Sequence, residues 1–316
     1  MSKIKKKIRI KKKNFTIFVI IVLVFCFSIY KTVSFISLKI KENKERKILE
    51  EKQIIEKREE LIPQPEKTDN EIKLEKLNHI EKEIDYFNND YIDRYITYKE
   101  QNNEMDIKQV IKNVNMQLDS DPYENIIPAK NLNTENILVN KHYYLEKNYV
   151  PDNLEEINTK YALSNMKLVS VAKEAFESMA KDAANEGYRI IAMSTYRSYD
   201  YQVNLWNKYA KQDGEKIADT YSGRAGHSEH QTGLAADIYN GKEDYTNFEK
   251  TKEFNWMQEH AHEYGFILRF PKDKVEETGY KYESWHYRYV GVERATYIKE
   301  KNISLEEYYA TVIKTW

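Results

Sequence analysis

Cysteine is almost absent from this sequence of 316 residues, in which Cys26 is the only one. It lies in an apolar segment near the N-terminus, so the rest of the chain has neither disulfides nor a cysteine-based metal site. Net charge is equally small, −1 from 50 basic and 51 acidic residues. This balance gives no overall electrostatic case for nucleic-acid binding, and we expect no nucleic-acid partner. Internal repeats are also absent.

At the N-terminus a basic segment is followed by an apolar one. Residues 2–13 (SKIKKKIRIKKK) contain no acid, and residues 15–38 are apolar apart from Lys31 and a few hydroxyls. As a helix, residues 15–38 extend roughly 36 Å, enough for a hydrocarbon core of about 30 Å. The pattern predicts a single-pass, uncleaved signal anchor, with residues 1–14 as a cytoplasmic basic tail and everything after residue 38 outside the cell.

Two other fates of the apolar segment fit less well. A cleaved signal peptide needs small residues at its cleavage site, and residues 28–31 (SIYK) do not supply that pattern. A lipoprotein needs a small residue before Cys26, where Phe25 stands. Whether the anchor is ever cleaved stays open.

Residues 39–117 are predicted to form a charged helical stalk between the membrane and a later domain. Residues 39–62 are highly charged with isoleucines at helical spacing, and Pro63 and Pro65 end that pattern. A second amphipathic pattern follows over residues 74–87. A solvated stalk is the favoured interpretation, and a scaffold that acts through these helices is the alternative.

Residues 118–316 are predicted to form one α+β domain with a small, largely antiparallel sheet and flanking helices. Hydrophobic periodicity and glycine stops predict the elements. Predicted helices cover residues 166–186, 199–211, 248–264, 293–301 and 305–315, and predicted strands cover 189–194, 234–239, 266–270 and 285–290.

The densest chemistry lies in residues 222–237, SGRAGHSEHQTGLAAD. Asp237 sits among apolar neighbours, where a carboxylate is costly to bury without a strong partner. A metal ion would be such a partner, and His230 is close enough in sequence to share it. On its own, His230 would more simply be a buried structural histidine.

Residues 283–286 (ESWH) supply a third metal ligand and a carboxylate beside it. Catalytic zinc usually has three protein ligands from His and Asp or Glu, and His230, Asp237 and His286 form such a set. Glu283 is then placed to exchange a proton with the reacting water, provided that residues 284–285 include a turn or bulge. The thermolysin-type motif is absent, because Phe266 stands where its second histidine is needed.

Several spaced motifs resemble the VanY-type D-alanyl-D-alanine carboxypeptidases of zinc peptidase family M15, subfamily M15B. Ser228-x-His230-x6-Asp237 and Glu283-x-x-His286 carry the likeness. It extends to the segments STYRSY (194–199), GFILRFP (265–271), WHYRYVG (285–291), VNK (139–141) and YVP (149–151). Ala225 and Ser284 occupy positions where the family often has proline.

The resemblance implies a Hedgehog/DD-peptidase-like fold over residues 118–316. It also implies His230, Asp237 and His286 as Zn²⁺ ligands and Glu283 as general acid and base. Arg197 would face the scissile carbonyl or the carboxylate of the peptide. Two further residues, Gln202 and Ser228, are implied as substrate contacts.

The sequence therefore predicts a membrane-anchored zinc carboxypeptidase that trims D-alanine from peptidoglycan stem peptides, in a cell of Gram-positive type. Serine-type chemistry is not expected. An L,D-carboxypeptidase or a peptidoglycan endopeptidase would use the same metal set, and a non-catalytic wall-binding module is the contrasting alternative. Oligomeric state and any role in glycopeptide resistance stay open.

Overall fold

A computed structural model describes residues 2–61 and 84–314 of the chain. The chain divides into two compact units, Met1–Ile72 and Lys73–Trp316. Its helices are α1 (Ser2–Leu61), α2 (Ile92–Gln101), α3 (Ile107–Asn115), α4 (Ser170–Asn185), α5 (Tyr199–Asp213), α6 (Glu215–Ala218), α7 (Lys252–His260), α8 (Val275–Thr278), α9 (Val292–Lys301) and α10 (Leu305–Tyr308). Its strands are β1 (Ile127–Pro128), β2 (Tyr143–Tyr144), β3 (Leu154–Glu156), β4 (Lys167–Val169), β5 (Ile191–Ser194), β6 (Ala235–Tyr239), β7 (Phe266–Leu268) and β8 (His286–Tyr289).

The first unit contains the long helix α1. Its part from Ile17 to Gln53 is long and apolar enough to cross a membrane, and a signal sequence near an N-terminus has the same properties. The apolar side chains there are exposed, as Leu23 and Val24 illustrate. The described part of this helix runs to Leu61.

The second unit is built on an antiparallel sheet with the strand order β5-β6-β8-β7. Two-stranded ribbons, parallel β1–β2 and antiparallel β3–β4, lie beside it. The small, largely antiparallel sheet flanked by helices confirms the predicted α+β class.

One face of this sheet packs against α4. Side chains of α4 at Ala172, Phe176 and Met179 are buried in a core that also contains Ala236 and Ile238 of β6. The helix begins at Ser170, later than the sequence pattern predicts, because residues 167–169 pair with β3 in extended conformation. Alternation along β6 then turns Asp237 to the opposite face.

The predicted helix over residues 248–264 is broken in the structure. A 3-10 segment, Tyr245–Lys250, precedes α7, and a second one, Ala261–Tyr264, follows it. Thr251 is extended, and its hydroxyl accepts a hydrogen bond of 3.1 Å from the backbone N–H of Phe254. A threonine in this position starts a new helix, which explains the break.

Residues 84–117 belong to the second unit, and the extent of the helical stalk predicted for 39–117 stays a prediction. Their small core contains Tyr95, Val110 and Ile111. Lys112 pairs with Glu307 at 2.8 Å, so α3 is held against the helix that begins at Leu305. Of the predicted second amphipathic pattern, residues 74–83 lie outside the described residues, and the domain boundary at residue 118 stays a prediction.

Candidate metal centre

Strand pairing brings Asp237 and His286 face to face. In the antiparallel register of β6 and β8 they are direct partners, and Oδ1 of Asp237 lies 3.1 Å from Nδ1 of His286. Ala236 and Ile238 on either side of Asp237 are fully buried in the core against α4. A slip by one residue would bring those apolar side chains out of the core, so the register is strongly specified.

His230 reaches the same point from a 3-10 turn, Glu229–Thr232, that precedes β6. Gly233 ends this turn with a φ of +68°, and a Cβ there would approach Leu154 to 2.8 Å. Glycine is therefore needed to turn the chain into β6. Nε2 of His230 lies 3.3 Å from Oδ2 of Asp237, and the rings of His230 and His286 are perpendicular, with centroids 5.0 Å apart.

The hydrogen bonds of His230 test whether a cation fits this site. Its Nδ1 lies 2.6 Å from the carbonyl oxygen of Thr195 and donates to it, which leaves the lone pair on Nε2. Burial, with Arg197 nearby, lowers the pKa of His230 to about 4, so the ring is neutral at pH 7. Two buried acceptors, Nε2 and the Asp237 carboxylate, then face each other, and a cation between them satisfies both.

Donor geometry agrees with that test. Ligand atoms of His230, Asp237 and His286 all lie within 4.8 Å of one another, and all three residues are buried. Among the described residues, Nε2 of His230 and Oδ1 of Asp237 have no hydrogen-bond partner. Two imidazoles and one carboxylate are a donor set that catalytic zinc uses, and the residues present therefore fit Zn²⁺.

The carboxylate of Asp237 is ionised. Burial opposes this, but His230 and His286 hold the pKa of Asp237 well below its usual range. Burial would lower the pKa of His286, and its contacts with Asp237 and Glu229 outweigh that effect and raise the pKa to about 9. A metal ion that binds here competes with a proton for His286 and must displace it.

Glu283 enters the site through a turn. The backbone N–H of His286 donates to the carbonyl of Glu283 at 3.3 Å, so residues 284–285 form the bend that the spacing requires. Oε2 of Glu283 lies 3.6 Å from Nδ1 of His286. Burial, supported by the charge of Asp237 and opposed by His286, raises the pKa of Glu283 to about 8. A carboxyl group with that pKa can both take up and release a proton near neutral pH.

Arg197 follows β5 and points into the site. Its Nη2 donates to Oδ2 of Asp237 at 3.3 Å, and its Nη1 donates to Oε1 of Gln202 at 3.2 Å. Gln202 is fixed in turn, because its Nε2 donates to the carbonyl of Gly223 at 2.7 Å. The guanidinium is thus fixed in orientation, and its Nε has no hydrogen-bond partner in the part of the chain that the structure describes.

All seven residues predicted for the site line one cavity of about 420 Å³. They are Arg197, Gln202, Ser228, His230, Asp237, Glu283 and His286. His227, predicted to have a supporting role, also lines it, and its Nδ1 lies 2.8 Å from the carbonyl oxygen of Asn140. Aromatic side chains form much of the remaining wall, namely Tyr201, Tyr209, Tyr221, Tyr245, Phe270, Tyr280 and Trp285.

Sequence reasoning missed a buried ionic cluster behind the predicted metal ligands. Glu229, Arg269, Arg288 and Glu306 are all at most 4% exposed. A signal for it exists in the sequence, because Arg269 lies in the apolar run FILRF and Arg288 is flanked by tyrosines in a strand. A buried arginine requires a carboxylate partner, but nothing in the sequence identifies which one.

Comparisons with known proteins agree with this architecture. The family model described as VanY, D-alanyl-D-alanine carboxypeptidase, matches residues 165–292. The putative carboxypeptidase YodJ of Bacillus subtilis is 41% identical over 191 residues, which are 58% of this chain and 70% of that protein. The bifunctional D-Ala-D-Ala dipeptidase and D-Ala-D-Ala carboxypeptidase VanXYC of Enterococcus gallinarum is 31% identical over 183 residues, 56% of this chain and 95% of that protein.

Among solved structures, the LdcB LD-carboxypeptidase superposes with a TM-score of 0.56 and 37% identity, over 60% of this chain and 92% of that one. The chain belongs to the VanY family of D-alanyl-D-alanine carboxypeptidases. Membership confirms the resemblance stated from the motifs and the fold that it implied.

Proposed function

We propose that this protein is a zinc-dependent D-alanyl-D-alanine carboxypeptidase that removes the terminal D-alanine from peptidoglycan stem peptides. The observation that carries the proposal is the convergence of His230, Asp237 and His286 with Glu283 in one buried cavity. A non-catalytic wall-binding protein would need neither this ligand set nor a carboxyl group with a raised pKa beside it.

His230, Asp237 and His286 would hold the zinc ion, which supplies Lewis-acid activation when bound. Glu283 takes a proton from the attacking water and later delivers it to the leaving amine, for which its pKa of about 8 is suited.

Arg197 is assigned to the substrate. Its guanidinium is a fixed, permanently charged fork that suits a carboxylate or a developing oxyanion. The hydrogen bond from Arg197 to Gln202 holds that fork, while Ser228 lies on the cavity wall within reach of a bound peptide. The substrate would be a stem peptide or its precursor, and no nucleic acid is expected to bind.

The direct test uses the purified full-length chain with a muramyl pentapeptide. We expect release of D-alanine that stops with chelator and returns when zinc is added. Absence of release, or release that chelator leaves unchanged, would count against the proposal.

Helix α1 is proposed to anchor the protein in the cell membrane, with residues 1–14 in the cytoplasm and the catalytic unit outside. The basic run before the apolar segment supports this orientation. Protease added to intact cells should digest the catalytic unit and leave an N-terminal tag intact. Protection of the catalytic unit would reverse the assigned orientation.

A second candidate is an L,D-carboxypeptidase that acts on the tetrapeptide. The likeness to the LdcB LD-carboxypeptidase, at 37% identity, supports it. An endopeptidase on cross-linked peptides would again use the same metal set. Parallel assays with pentapeptide, tetrapeptide and a cross-linked dimer separate the three, since only the preferred substrate should be cleaved rapidly.

A further inference from the structure

Glu229, between Ser228 and His230 in the chain, points to the far side of His286 from Asp237. Its Oε1 accepts hydrogen bonds from Nε of Arg269 at 2.8 Å and from Nη1 of Arg288 at 2.9 Å. Its Oε2 makes no hydrogen bond within residues 2–61 and 84–314, and it lies 3.5 Å from Nε2 of His286. The two oxygens of one carboxylate thus have separate neighbours, two guanidiniums on one side and an imidazole on the other.

The guanidiniums that hold Glu229 are themselves fixed. Arg269 donates from Nη1 and Nη2 to both oxygens of Glu306, at 2.8 and 2.5 Å. Arg288 donates from Nη2 to the carbonyl of Ile137 at 2.6 Å. Two arginines and two glutamates balance in charge, and their side chains are at most 3% exposed. Glu229 therefore has little freedom to turn away from His286.

A neutral imidazole has one lone pair, so its tautomer decides which nitrogen can bind a metal. His286 presents Nδ1 to Asp237, at 3.1 Å, and Nε2 to Glu229. For Nδ1 to carry the lone pair, the proton must be on Nε2, where the carboxylate of Glu229 is its neighbour. His230 has the reverse arrangement, with Nδ1 donating to Thr195 and Nε2 facing Asp237.

We propose that Glu229 is a positioning residue that keeps the proton of His286 on Nε2, so that Nδ1 is available as a metal ligand. Nε of Arg269 and Nη1 of Arg288 hold Glu229 in that role. The inference rests on the proposed metal site. Groups around a metal-bound histidine that accept its other N–H typically change metal affinity 10- to 100-fold when removed.

The isosteric variant Glu229→Gln tests this directly. Arginines are donors only, so the amide oxygen must replace Oε1, and the amide NH₂ then faces Nε2 of His286. Two donors cannot face each other, which drives the imidazole proton to Nδ1 and removes the lone pair from the metal side. We expect the zinc Kd, measured on the full-length chain by competition with a chromophoric chelator, to rise about 10- to 100-fold.

Glu306→Gln is the matched control, because it removes the same charge from the same cluster without touching His286. It should leave zinc affinity nearly unchanged, although both variants lower the unfolding temperature. The absorption spectrum of bound Co²⁺ should change in Glu229→Gln alone. Equal loss of zinc affinity in both variants, or unchanged affinity in Glu229→Gln, would overturn the proposal.

If Glu229→Gln fails to fold, Glu229→Asp carries the test. It retains the charge that the arginines need, while its shorter side chain withdraws from His286. Weakened zinc binding in a folded Glu229→Asp protein supports the proposal, and wild-type zinc binding contradicts it. Failure of the wild-type protein itself to bind zinc would instead refute the proposed metal site.

Discussion

Oδ2 of Asp237 lies 3.3 Å from Nη2 of Arg197 and equally 3.3 Å from Nε2 of His230. One carboxylate thus joins the proposed metal ligands to the proposed substrate-binding cation. Removing its charge should affect both.

Asp237→Asn should weaken zinc binding by at least about 10-fold, because a neutral amide oxygen is a weaker ligand for Zn²⁺ than a charged carboxylate. The zinc content that remains after dialysis against a weak chelator measures this loss of affinity. Asp200→Asn, at an exposed residue of α5, is the control and should bind zinc like the wild type. Full zinc retention in Asp237→Asn would remove that residue from the ligand set.

Glu283→Gln should reduce kcat by roughly 10²- to 10⁴-fold, since it removes the proton-transfer group. It should still bind about one zinc ion, because the proposed ligands are unchanged. Release of D-alanine and metal content are measured on the same preparation. Glu276→Gln, at an exposed position of α8, should keep full activity. Loss of zinc from Glu283→Gln would mean that Glu283 is itself a ligand.

Acid should destabilise the zinc-free protein partly through His142. Burial lowers the pKa of His142 from 6.5 to about 4, so between these values the unfolded chain binds a proton that the folded protein does not. Stability from this residue is present above pH 6.5 and is lost as the pH falls toward 4, by at most roughly 3 kcal/mol.

Urea unfolding of wild type and His142→Gln across pH 4 to 7, with chelator present throughout, isolates this contribution. The difference between their free energies of unfolding should change through that window. The other histidines titrate in both proteins, so their contributions largely cancel in the difference. A difference that does not vary with pH would exclude His142 as a source of acid sensitivity.

Ile111→Ala should destabilise the whole second unit by about 2–5 kcal/mol, because Ile111 is fully buried and its truncation leaves a cavity. Tryptophan fluorescence reports this well, since all four tryptophans follow residue 200. Ile126→Ala, at a side chain 43% exposed, is the control. An unshifted fluorescence transition in Ile111→Ala would mean that residues 84–117 unfold independently, as a stalk would.

The proposed ligands could be found from the sequence because their chemistry is local. A carboxylate in an apolar strand is conspicuous in the sequence, and the spaced motifs that contain the two histidines resemble those of a known family. The alternation that buries Ala236 and Ile238 also places Asp237 on the opposite face, so the strand was predictable as well.

Other features depend on partners that are distant in the chain. The pairing of Arg269 with Glu229 and Glu306 joins three separate segments, and no periodicity indicates it. The contact of Lys112 with Glu307 joins residues 195 positions apart, and the charged composition of residues 84–117 does not indicate it. In both cases tertiary contacts outweigh local composition.

The pairing of Asp237 with His286 also has a consequence for how the protein acquires its metal. The two residues become neighbours only when β6 and β8 have joined, so the site is complete only where folding is completed. If the catalytic unit folds outside the cell, it meets the ions available there and not those of the cytoplasm. Because divalent ions compete for such sites according to their supply as well as their affinity, the place of folding would help to select the ion that is bound.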